Sequence, residues 1–232
     1  MSRNTPFVLA LALALSIPTI AFASDREDDV RRIERSTQVF KEVMDTPDKA
    51  IPHGLLESSK CIAIVPGEKK FAFVFGGNFG RGVAICRTPT GWSAPMFIAV
   101  EGGSVGYQIG GSSTDIIMLF MNDHALQSLL GDKFKLGGDA SVAAGPVGRD
   151  AAADTDIRLK AEILTYSRSH GIFAGVSLEG TVVQADKSGD HAMYGGSTTR
   201  RQILDGRVSV PGSAQALVRE LDARSAQARV NN

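Results

Sequence analysis

Apolar residues near the N-terminus recur at steps of three and four, the spacing of one face of an α-helix. The pattern predicts an amphipathic helix over residues 25–46, and Pro47 ends it because proline cannot continue a helix. The stripe consists of Val30, Ile33, Thr37, Phe40 and Met44. Basic residues lie beside or opposite it, namely Arg31, Arg32, Arg35 and Lys41. Such a helix either packs on the domain or lies on an anionic membrane, and the acidic residues at 27–29 favour packing.

After residue 60 the pattern changes to short apolar runs and to alternation of period two, which are typical of β-strands. Phe71, Phe73 and Phe75 show the alternation, whereas residues 186–190 have the composition of a hairpin turn. The predicted strands cover residues 61–65, 71–79, 83–86, 95–100, 116–121, 141–144, 161–167, 171–178 and 180–185. The further predicted helices are a short turn at 52–59, a central helix at 123–130 with Asn122 or Asp123 as N-cap and Gly131 as terminator, and a last helix at 213–228.

Glycine is concentrated in the strand region, since 24 of the 25 glycines lie between Gly54 and Gly206. Glycine in strands lets backbones approach closely and accompanies bulges. These patterns predict an α+β fold, in which a curved, mainly antiparallel, glycine-rich β-sheet or barrel-like core is flanked by N-terminal, central and C-terminal helices. The expected divisions are a signal peptide at 1–23, an N-terminal helical segment at 24–59, a β-rich domain at 60–200, and a C-terminal helix with a polar tail at 201–232.

The first 23 residues have the three parts of a secretory signal peptide. Arg3 is followed by an apolar run over residues 7–20 and then by the cleavage motif Ala21, Phe22 and Ala23. The run is too short for a membrane anchor, because spanning a bilayer takes about 20 apolar residues. We therefore expect cleavage after Ala23 and a periplasmic or secreted protein.

The charge balance argues against one class of partner. The chain has 25 basic and 25 acidic residues, so it lacks the basic excess of a nucleic-acid-binding protein. Its four histidines are scattered without the spacing of a metal site. The sequence also contains no glycine-rich phosphate loop. We expect no nucleic-acid partner, no metal and no cofactor.

Cys61 and Cys86 are the two cysteines of the chain. Export would permit a disulfide, which would close a loop of about 25 residues and stabilise the fold by roughly 3 kcal/mol. Two buried thiols are the alternative. The sequence slightly favours thiols, because a separate strand at 71–79 would lie between the two cysteines in a simple meander.

Residues 102–110 allow two functional interpretations. Glycines and small polar residues would make one strand face nearly bare, so a partner backbone or a ligand could approach it. Residues 102–106 also match the G-x-S-x-G motif of serine hydrolases, which would make Ser104 a nucleophile. That motif needs a helix after the serine, whereas the sequence continues as a glycine-rich strand. Because similar glycine use recurs at 76–82, 137–148 and 171–180, tight sheet packing is the favoured interpretation.

Many short motifs in a fixed order, covering about residues 30–196, resemble the SYLF domain family. They are Ile-Val-Pro at 64–66, Phe-Gly-Gly at 75–77, Gly-Arg-Gly at 80–82, Gly-Trp-Ser-Ala-Pro at 91–95, Gly-Tyr-Gln-Ile-Gly at 106–110, Thr-Asp at 114–115, Ala-Ala-Gly-Pro-Val-Gly-Arg at 143–149, Tyr-Ser at 166–167 and Gly-Ile-Phe-Ala-Gly-Val-Ser-Leu-Glu-Gly at 171–180. The number and order of the motifs make the resemblance specific.

The resemblance implies a non-enzymatic lipid-binding module, since eukaryotic members bind phosphoinositide membranes with help from an amphipathic helix, and some yeast members bind actin. For an exported chain, the implied target is an anionic phospholipid membrane of the cell envelope. The alternatives are a structural role with an envelope protein partner and, less favoured, a hydrolase using Ser104. The candidate lipid contacts are Arg31, Arg32, Arg35, Phe40 and Lys41 on the first helix, with Lys69 and Lys70 at an expected hairpin tip.

Overall fold

A computed structural model describes residues 20–46, 50–71, 76–104, 112–148, 160–169 and 171–230. The fold is α+β, as predicted: a strongly curled sheet is flanked by N-terminal, central and C-terminal helices. Most of the expected signal peptide, residues 1–19, lies outside the described residues, and so do Phe73, Phe75 and residues 105–111 of the expected bare face.

The described residues form ten strands and several helices. The helices are α1 (Ile20–Met44), α2 (His53–Ser58), α3 (Asp123–Leu130), α4 (Lys187–Tyr194), α5 (Arg200–Leu204) and α6 (Gln215–Val230), with a 3-10 turn at Gly212–Ala214. The strands are β1 (Cys61–Phe71), β2 (Gly76–Thr88), β3 (Gly91–Trp92), β4 (Met96–Ser104), β5 (Ser112–Phe120), β6 (Lys133–Lys135), β7 (Val142–Ala144), β8 (Ile163–Ser169), β9 (Ile172–Gly175) and β10 (Val182–Ala185).

The strands form one sheet in the order β6-β10-β4-β2-β1-β5-β8-β7, with β3 paired to β2 and β9 paired to β8. Every pairing is antiparallel except the parallel pairing of β7 with β8. The long β1–β2 hairpin is central, because β1 also pairs with β5 and β2 also pairs with β4.

Alternation along the strands places a separate apolar cluster on each face of the sheet. Ile62 and Ile64 belong to the cluster that contains the apolar residues of α1, α2 and α6. Ala63 and Val65 belong to the other cluster, which includes residues of α3 and α5. We call these the helix-covered face and the inner face. A strand that is buried on both faces has a continuous apolar sequence, as residues 61–65 do.

Helix α1 lies on the helix-covered face through the stripe that the sequence predicts. Ile33, Phe40 and Met44 are buried in the same cluster as Ile62 and Ile64. The helix begins at Ile20, five residues before the predicted start, so the acidic residues at 27–29 follow its first turn. Packing on the domain, which the acidic residues favour, is the arrangement found.

Cys61 and Cys86 form a disulfide, contrary to the preference for two thiols. They are direct register partners on β1 and β2, with their Cα atoms 3.9 Å apart. The expectation failed because residues 71–79 do not form a separate strand between them: Phe71 ends β1 and Phe79 lies in β2 of the same hairpin. The bond joins the two strands at the end away from their connection, where both cysteines are buried.

Residues 187–190 begin helix α4, so the predicted hairpin turn at 186–190 is wrong. Asp186 is the N-cap, and its Oδ1 accepts a hydrogen bond from the backbone N–H of Gly189 at 3.2 Å. An aspartate followed by polar residues and glycine is common to turns and to helix starts. Burial selects the helix here, because Gly189 lies against Phe97, where an added Cβ would come within 2.8 Å of the ring.

Close backbone packing at glycine supports the structural interpretation of the glycine-rich strands. A Cβ on Gly82 would lie 2.2 Å from the carbonyl oxygen of Ile64, next to the register shift in β1. A Cβ on Gly175 would lie 2.0 Å from the carbonyl oxygen of Gly145. Both distances are far below van der Waals contact, so these two positions require glycine.

Candidate binding surface

The outer face of α1 is not a basic surface. Its exposed bases are Arg26, Arg31, Arg35 and Lys41. Its exposed acids, together with the residue just after the helix, are Asp25, Glu27, Asp28, Glu34, Glu42 and Asp45. Arg31 is moreover paired with Asp28 and, at 3.5 Å, with Glu27. Since acids outnumber bases, this face carries no net attraction for an anionic membrane.

Two of the candidate lipid contacts on α1 do not fit the structure. Phe40 is 0% exposed and lies in the core between the helix and the sheet. Arg32 is 7% exposed, and its guanidinium lies 5.1 Å from the ring centroid of Phe97. The sequence pattern alone does not distinguish a stripe that packs on a sheet from one that lies on a membrane. Arg31, Arg35 and Lys41 remain exposed.

Arg32 connects α1 to the start of α4. Its guanidinium contacts Asp29 Oδ1 at 2.8 Å and Asp186 Oδ2 at 2.8 Å. Arg81 of β2 also donates to Asp186 Oδ2, at 2.6 Å. Burial alone raises the pKa of Asp186, but hydrogen bonds from Ser188, Arg81 and Arg32 outweigh it and lower that pKa to about 2. Burial raises the pKa of Asp29. The cluster is thus a structural tie between three elements.

Asp190 forms a second buried contact one helical turn after Asp186. Its Oδ1 accepts a hydrogen bond from the backbone N–H of Phe97 at 2.7 Å, and its Oδ2 lies 3.0 Å from Arg200 Nη1. Burial raises the pKa of Asp190 to about 6, against the opposing effects of the Phe97 N–H and Arg200. Sequence analysis misses this pair, because it predicts a turn at 186–190 and no helix at 200–204.

A third polar contact holds the other end of α1. Arg168 of β8 pairs with Glu42 of α1 and, at 2.7 Å, with Asp115 of β5. Asp115 Oδ1 also accepts the backbone N–H of Gly67 at 2.8 Å. The Arg168 guanidinium and these two carboxylates bind one another, so we assign them to holding α1 on the sheet.

Ser104 is the last residue of β4 and the register partner of Gly76 in β2. The next described residue is Ser112, which begins β5. An aspartate and a histidine that follow Ser104 in the chain bind other groups: Asp115 is bound by Arg168, and His124 Nδ1 lies 2.6 Å from Glu162 Oε1. Within the described ranges, no cluster of histidine, cysteine and carboxylate side chains is arranged to hold a metal ion.

The last residues of β1, β4 and β8 and the first residues of β2, β5 and β9 lie at one end of the sheet, which we call the hairpin end. Register fixes their level: Lys70 is paired with both Asn78 of β2 and Ser112 of β5. The end of β4 is level with them, since Ser104 pairs with Gly76. The β8–β9 connection follows the pair formed by Ser169 and Ile172. The disulfide lies at the opposite end of the same strands.

The hairpin end carries basic residues and few acids. Lys69 and Lys70 belong to it by register, whereas their side chains lie outside the described residues. The sequence contains no aspartate or glutamate at 69–80, 102–114 or 169–178, although Glu68 directly precedes the two lysines and is the register partner of Thr114. Glu101, at the level of Phe79, accepts a hydrogen bond from Gln184 at 2.7 Å. The end of the sheet therefore differs in charge from the mixed outer face of α1.

The hairpin end also exposes apolar side chains. Phe79 of β2 is 44% exposed and Ile172 of β9 is 67% exposed. Among the side chains whose exposure the structure describes, they are the two large apolar ones that are exposed. A sequence reading could have found Phe79 as the last aromatic residue of the alternation at 71–79, although alternation alone does not show where helix cover ends.

Comparison with known proteins identifies the family. The family model described as "Ysc84: Las17-binding protein actin regulator" matches residues 101–224, which is more than half of the chain. The chain belongs to the Ysc84 family. This is the SYLF domain family that the ordered motifs resemble.

Several curated relatives of the Ysc84 family match most of this chain. Protein YSC84 of Saccharomyces cerevisiae is 37% identical over 200 residues, which is 84% of this chain and 42% of the yeast protein. LAS seventeen-binding protein 3 of the same species is 36% identical over 189 residues, 80% of this chain and 41% of that protein. Human SH3 domain-containing YSC84-like protein 1 is 31% identical over 204 residues, 86% of this chain and 59% of the human protein. The chain thus spans about two fifths of the yeast relatives it matches.

Proposed function

We propose that this Ysc84-family chain is a non-enzymatic, exported module that binds anionic phospholipid membranes of the cell envelope through its hairpin end. The observation that carries the proposal is the pair Lys69 and Lys70 at an end of the sheet whose three connecting stretches contain no carboxylate. Lysines near an anionic leaflet each contribute about 1 kcal/mol of attraction. The proposal moves the contact away from α1, whose stripe is buried and whose outer face is acidic on balance.

The chemistry of Cys61 and Cys86 supports the exported location. Disulfides form and persist in oxidising compartments such as the bacterial periplasm and the extracellular space. The bond between β1 and β2 closes a loop of 25 residues in the chain. It agrees with the signal peptide expected at residues 1–23. No helix within the described ranges has the length and apolar character needed to cross a bilayer.

A protein partner is the second candidate function. The yeast relative is named for binding LAS seventeen, and the family model describes an actin regulator. An exported chain would use the family's domain for a different, envelope protein. Because this candidate would use a surface of the same domain, it is the outcome to consider if lipid binding fails.

Liposome flotation tests the proposed function. The form to use begins at Ser24, because the apolar run at 7–20 would bind lipid by itself, and because the residues at 25–28 that follow are exposed. We expect flotation with vesicles containing phosphatidylglycerol, no flotation with phosphatidylcholine alone, and loss of binding as NaCl rises from about 0.05 to 0.5 M, since salt screens surface charge.

Equal flotation with both lipids at every salt concentration would contradict an anionic target. Absence of flotation with any vesicle would contradict lipid binding and direct attention to a protein partner. Crosslinking in intact cells would then be expected to capture one defined envelope protein.

A further inference from the structure

The disulfide between Cys61 and Cys86 lies on the inner face of the sheet, away from solvent. Both cysteines belong to the inner-face cluster, and they are 0% and 2% exposed. A reductant opens a disulfide by direct attack of its thiolate on one of the two sulfur atoms, and this attack requires access. Reduction of the folded protein therefore needs a movement that uncovers the bond.

Helix α5 packs beside the disulfide on this face. Ile203 and Leu204 are buried in the inner-face cluster, and α5 contacts both β2 and β4. Just after the helix, a Cβ on Gly206 would lie 2.9 Å from Cγ2 of Thr88, which is two residues beyond Cys86 and so lies on the same face of β2. A helix this short is unstable in isolation, so its position depends on its contacts with the domain.

Arg200, the first residue of α5, connects the helix to three other elements. Its Nη1 lies 3.0 Å from Oδ2 of Asp190 on α4. The guanidinium also donates to the carbonyl oxygen of Phe97 on β4 at 3.2 Å and to that of Leu129 on α3 at 3.1 Å. These buried polar contacts hold the N-terminal end of α5, whereas its apolar side chains hold the face that lies on the sheet.

We infer that the Cys61–Cys86 disulfide is a gated redox switch: α5 closes over the bond, the contacts of Arg200 keep it closed, and a thiol reaches the sulfur atoms when α5 lifts from the inner face. A dithiol reductant supplies the two electrons and two protons that convert the bond into two cysteine thiols, and it becomes a disulfide itself. None of these residues belongs to the hairpin end, so the switch and lipid binding can be tested apart.

Opening the switch would loosen the centre of the sheet. The bond joins β1 and β2, the two strands on which β4 and β5 are paired. Without it the unfolded chain is no longer closed into a loop over the 25-residue separation of the cysteines, so the ratio of folded to unfolded protein should fall on the order of a hundredfold. The gate therefore protects a bond on which the stability of the fold depends.

The rate of reduction by dithiothreitol tests the gate. The protein is held with excess reductant at about pH 8, where thiolates form. Samples are taken over time and treated with iodoacetamide, and mass spectrometry measures the fraction alkylated at both cysteines. We expect reduction of the wild type to be at least about a hundredfold slower in buffer than in about 8 M urea, because folding covers both sulfur atoms. Urea below the unfolding transition should leave the rate nearly constant, since a local opening exposes little surface.

Two variants of α5 should speed up reduction in buffer. Arg200→Ala should be reduced at least about tenfold faster than the wild type, because the helix loses a buried ion pair. Thr199→Ala removes the exposed N-cap of α5 and leaves the buried charges in place, so it should raise the rate about fivefold even if Arg200→Ala fails to fold. Arg207→Ala is the matched control: it removes an exposed arginine just after α5 and should keep the wild-type rate.

Three results would overturn the gate. The first is reduction of the wild type as fast in buffer as in urea, which would show that the bond is open to thiols. The second is a wild-type rate that rises steeply with urea below the transition, which would place reduction in the globally unfolded protein. The third is a Thr199→Ala rate equal to those of Arg207→Ala and the wild type, because α5 would then not control access.

Discussion

Replacing Phe40 with alanine should unfold or strongly destabilise the protein. The side chain is 0% exposed and packs in the cluster that joins α1 to the sheet. Truncating a buried phenylalanine removes its transfer free energy and leaves a cavity, which together cost about 3–5 kcal/mol. That loss is a large part of the stability of a typical domain, which is about 5–15 kcal/mol. Urea denaturation followed by circular dichroism measures the change.

Lys41→Ala is the matched control for Phe40→Ala. Lys41 is the next residue along α1 and is exposed, so its removal should change the free energy of unfolding by less than about 0.5 kcal/mol. If Phe40→Ala were as stable as Lys41→Ala, the packed position of α1 would be contradicted. Lost lipid binding in a Phe40 variant would therefore report unfolding and not the loss of a membrane contact.

Arg32→Ala should have the second largest effect. The guanidinium is buried between Asp29 and Asp186, and its removal leaves two buried carboxylates with fewer partners. Removing one partner of a buried ion pair costs about 3–5 kcal/mol, because the remaining charge stays desolvated. Arg31→Ala is the control: Arg31 is the adjacent arginine with exposed ion pairs, so its loss should leave the urea midpoint unchanged.

The pH dependence of the free energy of unfolding is an independent test of the contacts of Arg32 with Asp186. Asp186 has a pKa of about 2 in the folded protein, below the value of about 3.9 for an unfolded aspartate. Its contribution to stability is therefore present above about pH 4 and is lost as the pH falls towards 2. Arg32→Ala removes one of the groups that lower this pKa, so the variant should lose less stability than the wild type in that pH window. An equal or steeper loss would contradict the assigned role of Arg32.

The sequence predicts the helices and strands well where the apolar residues follow a single period, that of a helix or that of a strand. The central helix at 123–130, with Asn122 as its N-cap, is found with the predicted bounds. The stripe of α1 and most strands are found as well, because burial on one or both faces leaves a clear apolar pattern. The polar start of α4 and the five-residue α5 were missed, because their formation depends on tertiary contacts of Asp190, Arg200 and Phe97.

The sequence does not contain the strand pairing, and this limits how much of the binding surface can be predicted from it. Cys61 and Cys86 meet because β1 and β2 form one long hairpin, a fact of register that composition does not contain. The same register brings Lys70, Ser104 and Ile172 to one end of the sheet. The sequence predicts a hairpin tip at Lys69 and Lys70, whereas both lie in the paired end of β1. It also could not show that the apolar stripe of α1 is buried by the sheet.

Flotation of two double charge reversals with phosphatidylglycerol vesicles tests the central claim most directly. Lys69→Glu/Lys70→Glu reverses the charge of the hairpin end, and Arg31→Glu/Arg35→Glu makes the same change on the exposed face of α1. We predict at least a tenfold loss of vesicle affinity for the hairpin-end variant, given about 1 kcal/mol per lysine, and less than a threefold change for the helix variant. Retained binding in the first variant with lost binding in the second would contradict the account.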